Sequence, residues 1–153
     1  MKLKAKPGVA ASKARILKKE ARRPQQGLSP QYIFFYGSLK RGGKAYGRLR
    51  GRVRFVSLGR IRANLYSLCG GEYSGAVPTA TPGRFVKGDL FVLKDPQKTL
   101  QELDGFEGVD EGLFRRELVD VWARGRRIKT WVYLYARPLM NATLIPSGIY
   151  SSH

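Results

Sequence analysis

A glycine turn and one glutamate are the residues of this chain whose types and spacing suit catalysis. The glycine turn, residues 36–43, follows an apolar run and begins Tyr36-Gly37-Ser38-Leu39. Backbone N–H groups that converge in such a turn can hold an anion or a developing oxyanion. The glutamate, Glu107, follows apolar Phe106, and partial burial of its carboxyl would raise its pKa toward the range of a general base. Together the two elements predict a small acid–base active site.

Each element also has a simpler interpretation. On its own, a glycine turn is more often a tight exit from a strand, and a glutamate at a helix end is more often solvated. The turn is not a nucleotide-binding P-loop, because the spacing from Gly37 to Gly43 is one residue too long. In addition, Ala45 follows Lys44 where that motif has Ser or Thr.

The remaining residues exclude most other catalytic groups. The chain has one histidine, His153, and one cysteine, Cys69. It therefore offers no Ser-His-Asp triad, no Cys-His dyad and no cage of His or Cys for a metal, and we expect neither a metal nor a cofactor. Ser38 lacks a histidine to activate it, so we do not expect it to be a nucleophile. Acid–base chemistry is left to carboxylates, Tyr or Lys.

The chain is strongly basic. Its 153 residues carry a formal net charge of +18 and are enough for one domain with a core. Residues 1–30 hold nine Lys or Arg and one acid, which gives +8, and residues 31–153 hold twenty and ten, which gives +10. Such a field favours acidic ligands or nucleic acid. A single cysteine, with no apolar run of about 20 residues, predicts a cytoplasmic protein without a membrane span.

Three segments are expected along the chain. Residues 1–30 are rich in Lys, Arg and Ala and contain three prolines, so we interpret them as a solvated, mostly disordered arm. An organelle transit peptide, a nucleic-acid-binding arm and a start codon assigned too far upstream are the alternatives. Residues 31–138 form the predicted domain, and residues 139–153 form an irregular tail.

Hydrophobic periodicity and chain breakers predict about six strands and one main helix within the domain. Strands are predicted at residues 32–36, 53–61, 66–68, 76–79, 85–93, 114–122 and 128–136, with a short helical turn at 45–50. The last two strands form a hairpin across Arg124-Gly125-Arg126. This set of elements predicts an α+β fold, a small closed or nearly closed β-barrel of mixed strands with one helix.

The helix is predicted to begin at Asp95-Pro96. Asp95 is the expected capping residue, and Pro96 stands at the first helical position, where its missing N–H costs nothing. Apolar residues at three-residue spacing predict the face that packs on the core: Leu100, Leu103 and Phe106.

Residues 40–61 contain eight Lys or Arg and no acid. The stretch could bind the phosphates of nucleic acid. A solvated basic face is the simpler interpretation, because the stretch lacks the aromatic platform typical of single-strand binders.

Six short motifs occur in order along most of the domain. They are Tyr36-Gly37-Ser38-Leu39 with Lys40-Arg41-Gly42, Arg62–Tyr66, Val86–Phe91, Leu103–Gly108, Phe114-Arg115-Arg116 and Val132-Tyr133. In this order and spacing the chain, over roughly residues 32–137, resembles the gamma-glutamylcyclotransferase-like family, which includes gamma-glutamylamine cyclotransferase-type proteins. Phe114 departs from the family's usual Tyr, which puts the substrate preference in doubt, and the basic arm lies outside the family pattern.

The resemblance implies a mixed α+β barrel, no metal, and release of an amine or amino acid from a gamma-glutamyl compound with formation of 5-oxoproline. It implies that Glu107 is the acid/base. It also implies these substrate-binding residues: Tyr36, Gly37, Ser38, Leu39, Lys40 and Arg116. A basic binding protein that keeps the fold without the chemistry, and contacts nucleic acid or other anions, is the alternative. The leaving group stays open among an amino acid, a dipeptide and the side-chain amine of a lysine.

The arm yields the first testable prediction. Its +8 charge and its prolines make ordering against the domain costly. Deletion of residues 1–29 should leave folding and cyclotransferase activity nearly intact and weaken non-specific nucleic-acid binding in a salt-dependent way. Denaturation and 5-oxoproline release measured on the truncated chain test this. Loss of folding or of turnover would show that the boundary near residue 30 is wrong.

Overall fold

The structure is a computed structural model that describes residues 31–151. The predicted arm lies outside the described residues, as does His153. Within residues 31–151 the chain forms seven strands, one α-helix and two single-turn 3-10 helices. The strands are β1 (Tyr32–Phe35), β2 (Val53–Leu68), β3 (Tyr73–Pro78), β4 (Phe85–Leu93), β5 (Phe114–Ala123), β6 (Arg126–Tyr135) and β7 (Thr143–Leu144). The α-helix is α1 (Pro96–Phe106), and the 3-10 helices are Tyr46–Leu49 and Cys69–Gly71.

Five of these strands close into a barrel in the order β2-β4-β1-β6-β5. β1 runs parallel to β6, and the other neighbours are antiparallel. β5 returns to β2 through one pair, Arg60 opposite Trp122. β3 and β7 pair with the far half of β2. The predicted α+β barrel with one main helix is confirmed.

β1 is central because it is apolar on both faces. Phe34 points into the barrel interior, where it packs with Leu90 and Val132. Ile33 and Phe35 point the other way, into a second cluster that includes Leu100 and Leu103 of α1. A strand buried on both sides reads as a continuous apolar run rather than as an alternating one. The run that ends at the glycine turn therefore lies between the two halves of the core.

β2 is a single strand of 16 residues, where two shorter strands were predicted. Its register against β4 shifts at a bulge between Phe55 and Ser57. Beyond Ile61 the burial still alternates, with Arg62 exposed and Ala63 buried. Pairing with β3 keeps this segment extended although Ala and Asn have low strand propensity, because sheet propensity depends on the neighbouring strands.

α1 begins at Pro96 as predicted, but two of its predicted features are wrong. Asp95 makes no side-chain capping bond, and its backbone is left-handed with φ of 42°, whereas a capping residue is normally extended. Phe106 is 40% exposed and lies under the Arg48 guanidinium at 4.2 Å. A three-residue step falls short of one turn of 3.6 residues, so the third residue of the series rotates away from the buried face of Leu100 and Leu103.

The chain after residue 138 contributes to the barrel. β7 pairs with β2, and Tyr150 is buried in the barrel core. The Lys87 N–H donates to the Gly148 carbonyl at 2.8 Å. The sequence indicated only an irregular tail, because a two-residue strand carries no periodicity. The packed domain of the described chain extends to these residues.

Gly88 on β4 supplies a prediction about the fold. A Cβ at this position would collide with the Phe35 carbonyl oxygen and lie 2.9 Å from the Phe34 ring, and backbone cannot move aside cheaply. Gly88→Ala should lower the free energy of unfolding by about 1–3 kcal/mol. The matched control is Gly47→Ala, because no atom lies within 4 Å of that Cβ and its φ is not positive. Urea denaturation of both variants makes the comparison, and equal stability would contradict the close approach.

Candidate active site

A cavity of about 190 Å³ brings the glycine turn and Glu107 together. It lies where the end of β1, the start of β3 and the end of α1 meet. Its walls are largely aromatic and aliphatic side chains, with a few polar groups between them. The lining residues are Phe34, Phe35, Tyr36, Gly37, Ser38, Leu39, Tyr73, Ser74, Phe106, Glu107, Leu113, Phe114 and Tyr133.

Tyr36 holds the start of the glycine turn in place. Its buried hydroxyl donates to the Tyr133 carbonyl at 2.7 Å and accepts from the Ala76 N–H at 3.0 Å. One side chain thereby ties β1 to both β6 and β3. Burial raises the pKa of Tyr36 well above its ordinary value, so this phenol stays protonated and acts as a structural donor.

The glycine turn closes on itself through backbone bonds. The Lys40 N–H donates to the Gly37 carbonyl at 3.1 Å, and the Ala45 N–H donates to the Ser38 carbonyl at 2.9 Å. Within the described chain, the N–H groups of Gly37, Ser38 and Leu39 have no backbone acceptor of this kind. Three successive N–H groups beside a cavity are an arrangement that can bind an anion.

Glu107 reaches the cavity because the chain reverses directly after it. Its N–H donates to the Leu103 carbonyl at 2.8 Å, which completes the last turn of the helix. Gly108 then adopts φ of 68°, the left-handed conformation that commonly ends a helix. The Leu113 N–H donates to the Gly108 carbonyl at 3.0 Å, which closes the loop. The glycine after Glu107 is therefore what lets the carboxyl lie on the cavity wall.

The surroundings of Glu107 favour its neutral form. Burial raises the pKa of this carboxyl from its ordinary 4.5 to about 7. The side chain is half-buried and takes no hydrogen bond or ion pair from the described residues that would offset the desolvation. A carboxyl of this pKa can both accept and release a proton near neutral pH.

A second carboxylate three residues earlier has the opposite environment. Asp104 accepts two bonds from Arg116, at 2.7 and 3.1 Å, and one from the Tyr133 hydroxyl at 2.8 Å. Desolvation acts to raise the pKa of Asp104, but these hydrogen bonds outweigh it and the pKa is lowered. Two carboxylates on one helix end are thus separated into a charged structural group and a titrating group, a pattern typical of acid–base sites.

The structure brings most of the sequence-predicted site residues together. Tyr36, Gly37, Ser38, Leu39 and Glu107 all line the cavity.

Two further predicted residues lie elsewhere. Lys40 lines a second cavity, on the outer face of the barrel. Arg116 pairs with Asp104 and stacks over the Trp131 ring at 4.4 Å. From this position Arg116 orients the helix end that carries Glu107.

Sequence reasoning did not single out Ser74. Its side chain is 7% exposed, it lines the cavity, and its Oγ has no hydrogen-bond partner in the described structure. A buried hydroxyl without a partner costs about 1–3 kcal/mol, so this atom is a candidate for hydrogen bonding to a ligand. The available signal was a serine inside the run Tyr73–Pro78, but the strand was predicted to start only at residue 76.

Tyr133 and Phe114 complete the wall. Tyr133 was noted only as part of a strand motif, yet its hydroxyl joins the Asp104 network and its ring lines the cavity. Phe114 is buried with its ring edge-on to Tyr135, the centroids 5.7 Å apart. Because Phe114 carries no hydroxyl, this part of the wall is apolar.

Comparisons with known proteins point to one family. Residues 33–152 match the model of the family described as gamma-glutamyl cyclotransferase, AIG2-like. A Methanocaldococcus jannaschii protein named "Putative gamma-glutamylcyclotransferase MJ1514" is 24% identical over 126 residues, which cover 80% of this chain and 98% of that protein.

Two solved structures share the fold. An AIG2-like protein of Mus musculus superposes with a TM-score of 0.60 at 22% identity, covering 71% of this chain and 79% of that one. YkqA from Bacillus subtilis superposes with a TM-score of 0.62 at 20% identity over 80% of this chain. The match spans 40% of the YkqA chain.

Among residues 31–151 no helix is both long and apolar enough to cross a bilayer.

The raised pKa of Glu107 has a consequence for stability. Folding raises this pKa from 4.5 to about 7, so the native state binds the proton more tightly than the unfolded state. The stabilisation that this bound proton gives the native state is complete below pH 4.5 and is lost as the pH rises through 7. The substituted side chain in Glu107→Gln does not titrate. The free energy of unfolding of this variant minus that of the parent should therefore be larger at pH 8 than at pH 5, by on the order of 1–3 kcal/mol. Urea denaturation at both pH values measures this.

The control for this experiment is Glu111→Gln, because Glu111 is an exposed glutamate on the same loop. Its stability difference from the parent should be the same at both pH values. A pH-independent effect of Glu107→Gln would show that Glu107 is solvated.

Proposed function

The chain belongs to the gamma-glutamyl cyclotransferase, AIG2-like family, and on this premise we propose that it converts a gamma-glutamyl compound to 5-oxoproline with Glu107 as the acid/base. The observation that carries the proposal is the shared cavity. It combines a carboxyl whose pKa burial raises to about 7 with a turn of backbone N–H groups. Neither a nucleophilic side chain nor an imidazole is needed for this reaction.

The substrate supplies its own nucleophile. The α-ammonium of a gamma-glutamyl group has an unperturbed pKa of about 8, close enough to that of Glu107 for proton transfer. Glu107 removes one proton, and the free amine attacks the γ-carbonyl carbon to form a five-membered ring. The tetrahedral intermediate collapses as the bond to the leaving nitrogen breaks. The protonated Glu107 returns its proton to that nitrogen and then accepts the second proton of the ring nitrogen, which leaves 5-oxoproline. The released amine takes up this proton as an ammonium ion, and Glu107 is again a carboxylate.

The glycine turn suits the negative charge in this sequence. The N–H groups of Gly37, Ser38 and Leu39 can hold the substrate α-carboxylate or the oxyanion that develops on the γ-carbonyl oxygen. The turn is rigid because Tyr36 and the backbone bond from Ala45 to Ser38 hold both of its ends. Donors that are already in place stabilise charge without reorganisation.

The cavity also favours the curled form of the substrate. Its volume of about 190 Å³ suits a compact glutamyl group, and the rings of Tyr36, Phe114 and Tyr133 shape its wall. Cyclisation requires the amine to lie close to the γ-carbonyl, and enforcing that geometry supplies the entropic part of the rate enhancement. The unpartnered Ser74 Oγ faces the same space and is suited to hydrogen-bond the glutamyl α-substituents.

Glu107→Gln tests the acid/base assignment. The variant keeps the shape of the side chain but removes the base, so 5-oxoproline release should fall by at least about a hundredfold. In the parent, turnover should decrease as the pH falls below about 7, because Glu107 becomes protonated. Glu111→Gln serves as the control and should keep normal turnover. Near-normal release of 5-oxoproline by Glu107→Gln would refute the assignment.

Substitutions on either side of the turn test substrate binding. Ser74→Ala removes the buried hydroxyl and should raise KM by about tenfold, the effect of one lost hydrogen bond. Ser38→Ala should cost much less, because Ser38 acts through its backbone. Gly37→Val should abolish binding, since even a Cβ at this position lies 3.1 Å from Ser74 Oγ. If Ser38→Ala were as inactive as Glu107→Gln, a nucleophilic serine would have to replace the present mechanism.

A further inference from the structure

A second and larger cavity, of about 510 Å³, lies on the outer face of the barrel near the closure of β5 onto β2. Its volume is within the range of small-molecule sites. Glu107 and Ser74 are not among its lining residues. Those are Lys40, Leu58, Gly59, Arg60, Lys87, Gly88, Asp89, Trp122, Ala123, Arg124, Gly125 and Ile149.

The floor of this second cavity is apolar. Leu58 is 67% exposed and Ile149 is 46% exposed, although both side chains are large and aliphatic. Trp122 lines the same cavity. Exposed apolar side chains grouped around a concavity indicate a binding surface rather than scattered surface residues.

The charge around the cavity is positive and uncompensated. Lys40, Arg60, Lys87 and Arg124 line it, and no carboxylate of the described residues lies within ion-pair distance of them. The one lining carboxylate, Asp89, is occupied by Arg41, which donates to it from its backbone N–H at 2.8 Å and from its side chain at 3.1 Å. Four cationic residues therefore line this cavity without an ion-pair partner among the described residues.

Two of these cations are placed directly opposite each other. In the β2–β4 ladder Arg60 pairs with Lys87, and like charges in directly opposed positions are destabilising. On the β5–β6 hairpin, by contrast, Asp120 lies within 4 Å of both Arg127 and Lys129. Burial also lowers the pKa of Lys40, more than the attraction of Asp89 raises it. A bound anion would relieve both costs.

The tertiary structure also places aromatic rings beside two arginines of β2. The Arg60 guanidinium lies 4.3 Å from the Phe85 ring centroid, and Arg62 lies 5.7 Å from that of Trp122. The two rings pack edge to face at 6.2 Å. Planar rings interleaved with guanidinium groups are the surfaces on which nucleobases and phosphates bind.

We propose that this second cavity binds a nucleoside phosphate, with the base against Trp122 and the apolar floor and the phosphate between Arg60, Lys87 and Arg124. The same chemistry is present in a free nucleotide and in one unit of a single-stranded nucleic acid. The proposal does not depend on the cyclotransferase reaction, because Lys87 and Trp122 do not line the Glu107 cavity.

Calorimetric titration of the full chain tests the proposal with four probes: AMP, adenosine, inorganic phosphate and a single-stranded oligoadenylate. AMP should bind saturably, and adenosine and phosphate should each bind at least about tenfold more weakly, because each lacks half of the contacts. Oligoadenylate that binds more tightly than AMP identifies nucleic acid as the source. Oligoadenylate that binds no more tightly identifies the free nucleotide.

Charge reversal separates a specific site from the general positive field. Lys87→Glu should weaken AMP binding by at least about tenfold, the effect of losing a charge-assisted hydrogen bond. Arg54→Glu changes the net charge by the same amount at an exposed position of β2 outside the cavity, and should change affinity by less than about twofold. Trp122→Ala should lower the affinity for AMP about tenfold through lost stacking. Trp122→Phe keeps an aromatic ring and should retain most of the parent's affinity, which separates lost stacking from instability of the alanine variant.

Two results would overturn the proposal. One is the absence of saturable binding by both AMP and oligoadenylate. The other is an equal loss of affinity in Lys87→Glu and Arg54→Glu, since that would mean that only the overall charge attracts the probe.

Discussion

The rest of the candidate site depends on the hydrogen bonds that the Asp104 carboxylate accepts. It lies on the last turn of α1 and receives hydrogen bonds from Arg116 on β5 and Tyr133 on β6. The helix end is therefore attached to the β5–β6 hairpin at one point. This attachment fixes the position of Glu107, which lies three residues later in the chain.

The same network continues to the opposite wall of the cavity. Tyr133 gives its hydroxyl to Asp104, and its carbonyl accepts the hydroxyl of Tyr36. Tyr36 is the first residue of the glycine turn, so a continuous path of hydrogen bonds runs from the turn to the helix end. Its members are buried or half-buried, and such bonds are stronger in a low-dielectric interior than in water. This path sets the position of the Glu107 carboxyl relative to the backbone N–H groups of the glycine turn.

Charge is distributed on the two cavities in opposite ways. The Glu107 cavity contains one carboxyl with no compensating cation among its lining residues, and its neutral form is favoured by burial. The second cavity contains four cations and one carboxylate already bound by Arg41. The glycine turn touches both, since Leu39 lines the first and Lys40 the second. The net charge of +10 on residues 31–153 is therefore not spread evenly over the surface. Part of it is concentrated around the second cavity, on one face of the barrel.

The sequence by itself determined the fold class, the main strands, the start of the helix at Pro96 and the pairing of the glycine turn with Glu107. Each rests on a local signal: an apolar run, a breaker, or a motif with its spacing. Only the tertiary structure decided that Arg116 binds Asp104, that Lys40 lines a different cavity from Leu39, and that Ser74 lines the same cavity as Glu107. These contacts join residues far apart in the chain, whose side-chain directions depend on strand pairing and barrel closure. The sequence of β2 contains Arg60 and Arg62, but the aromatic rings beside them come from β4 and β5, and no local pattern could place them there.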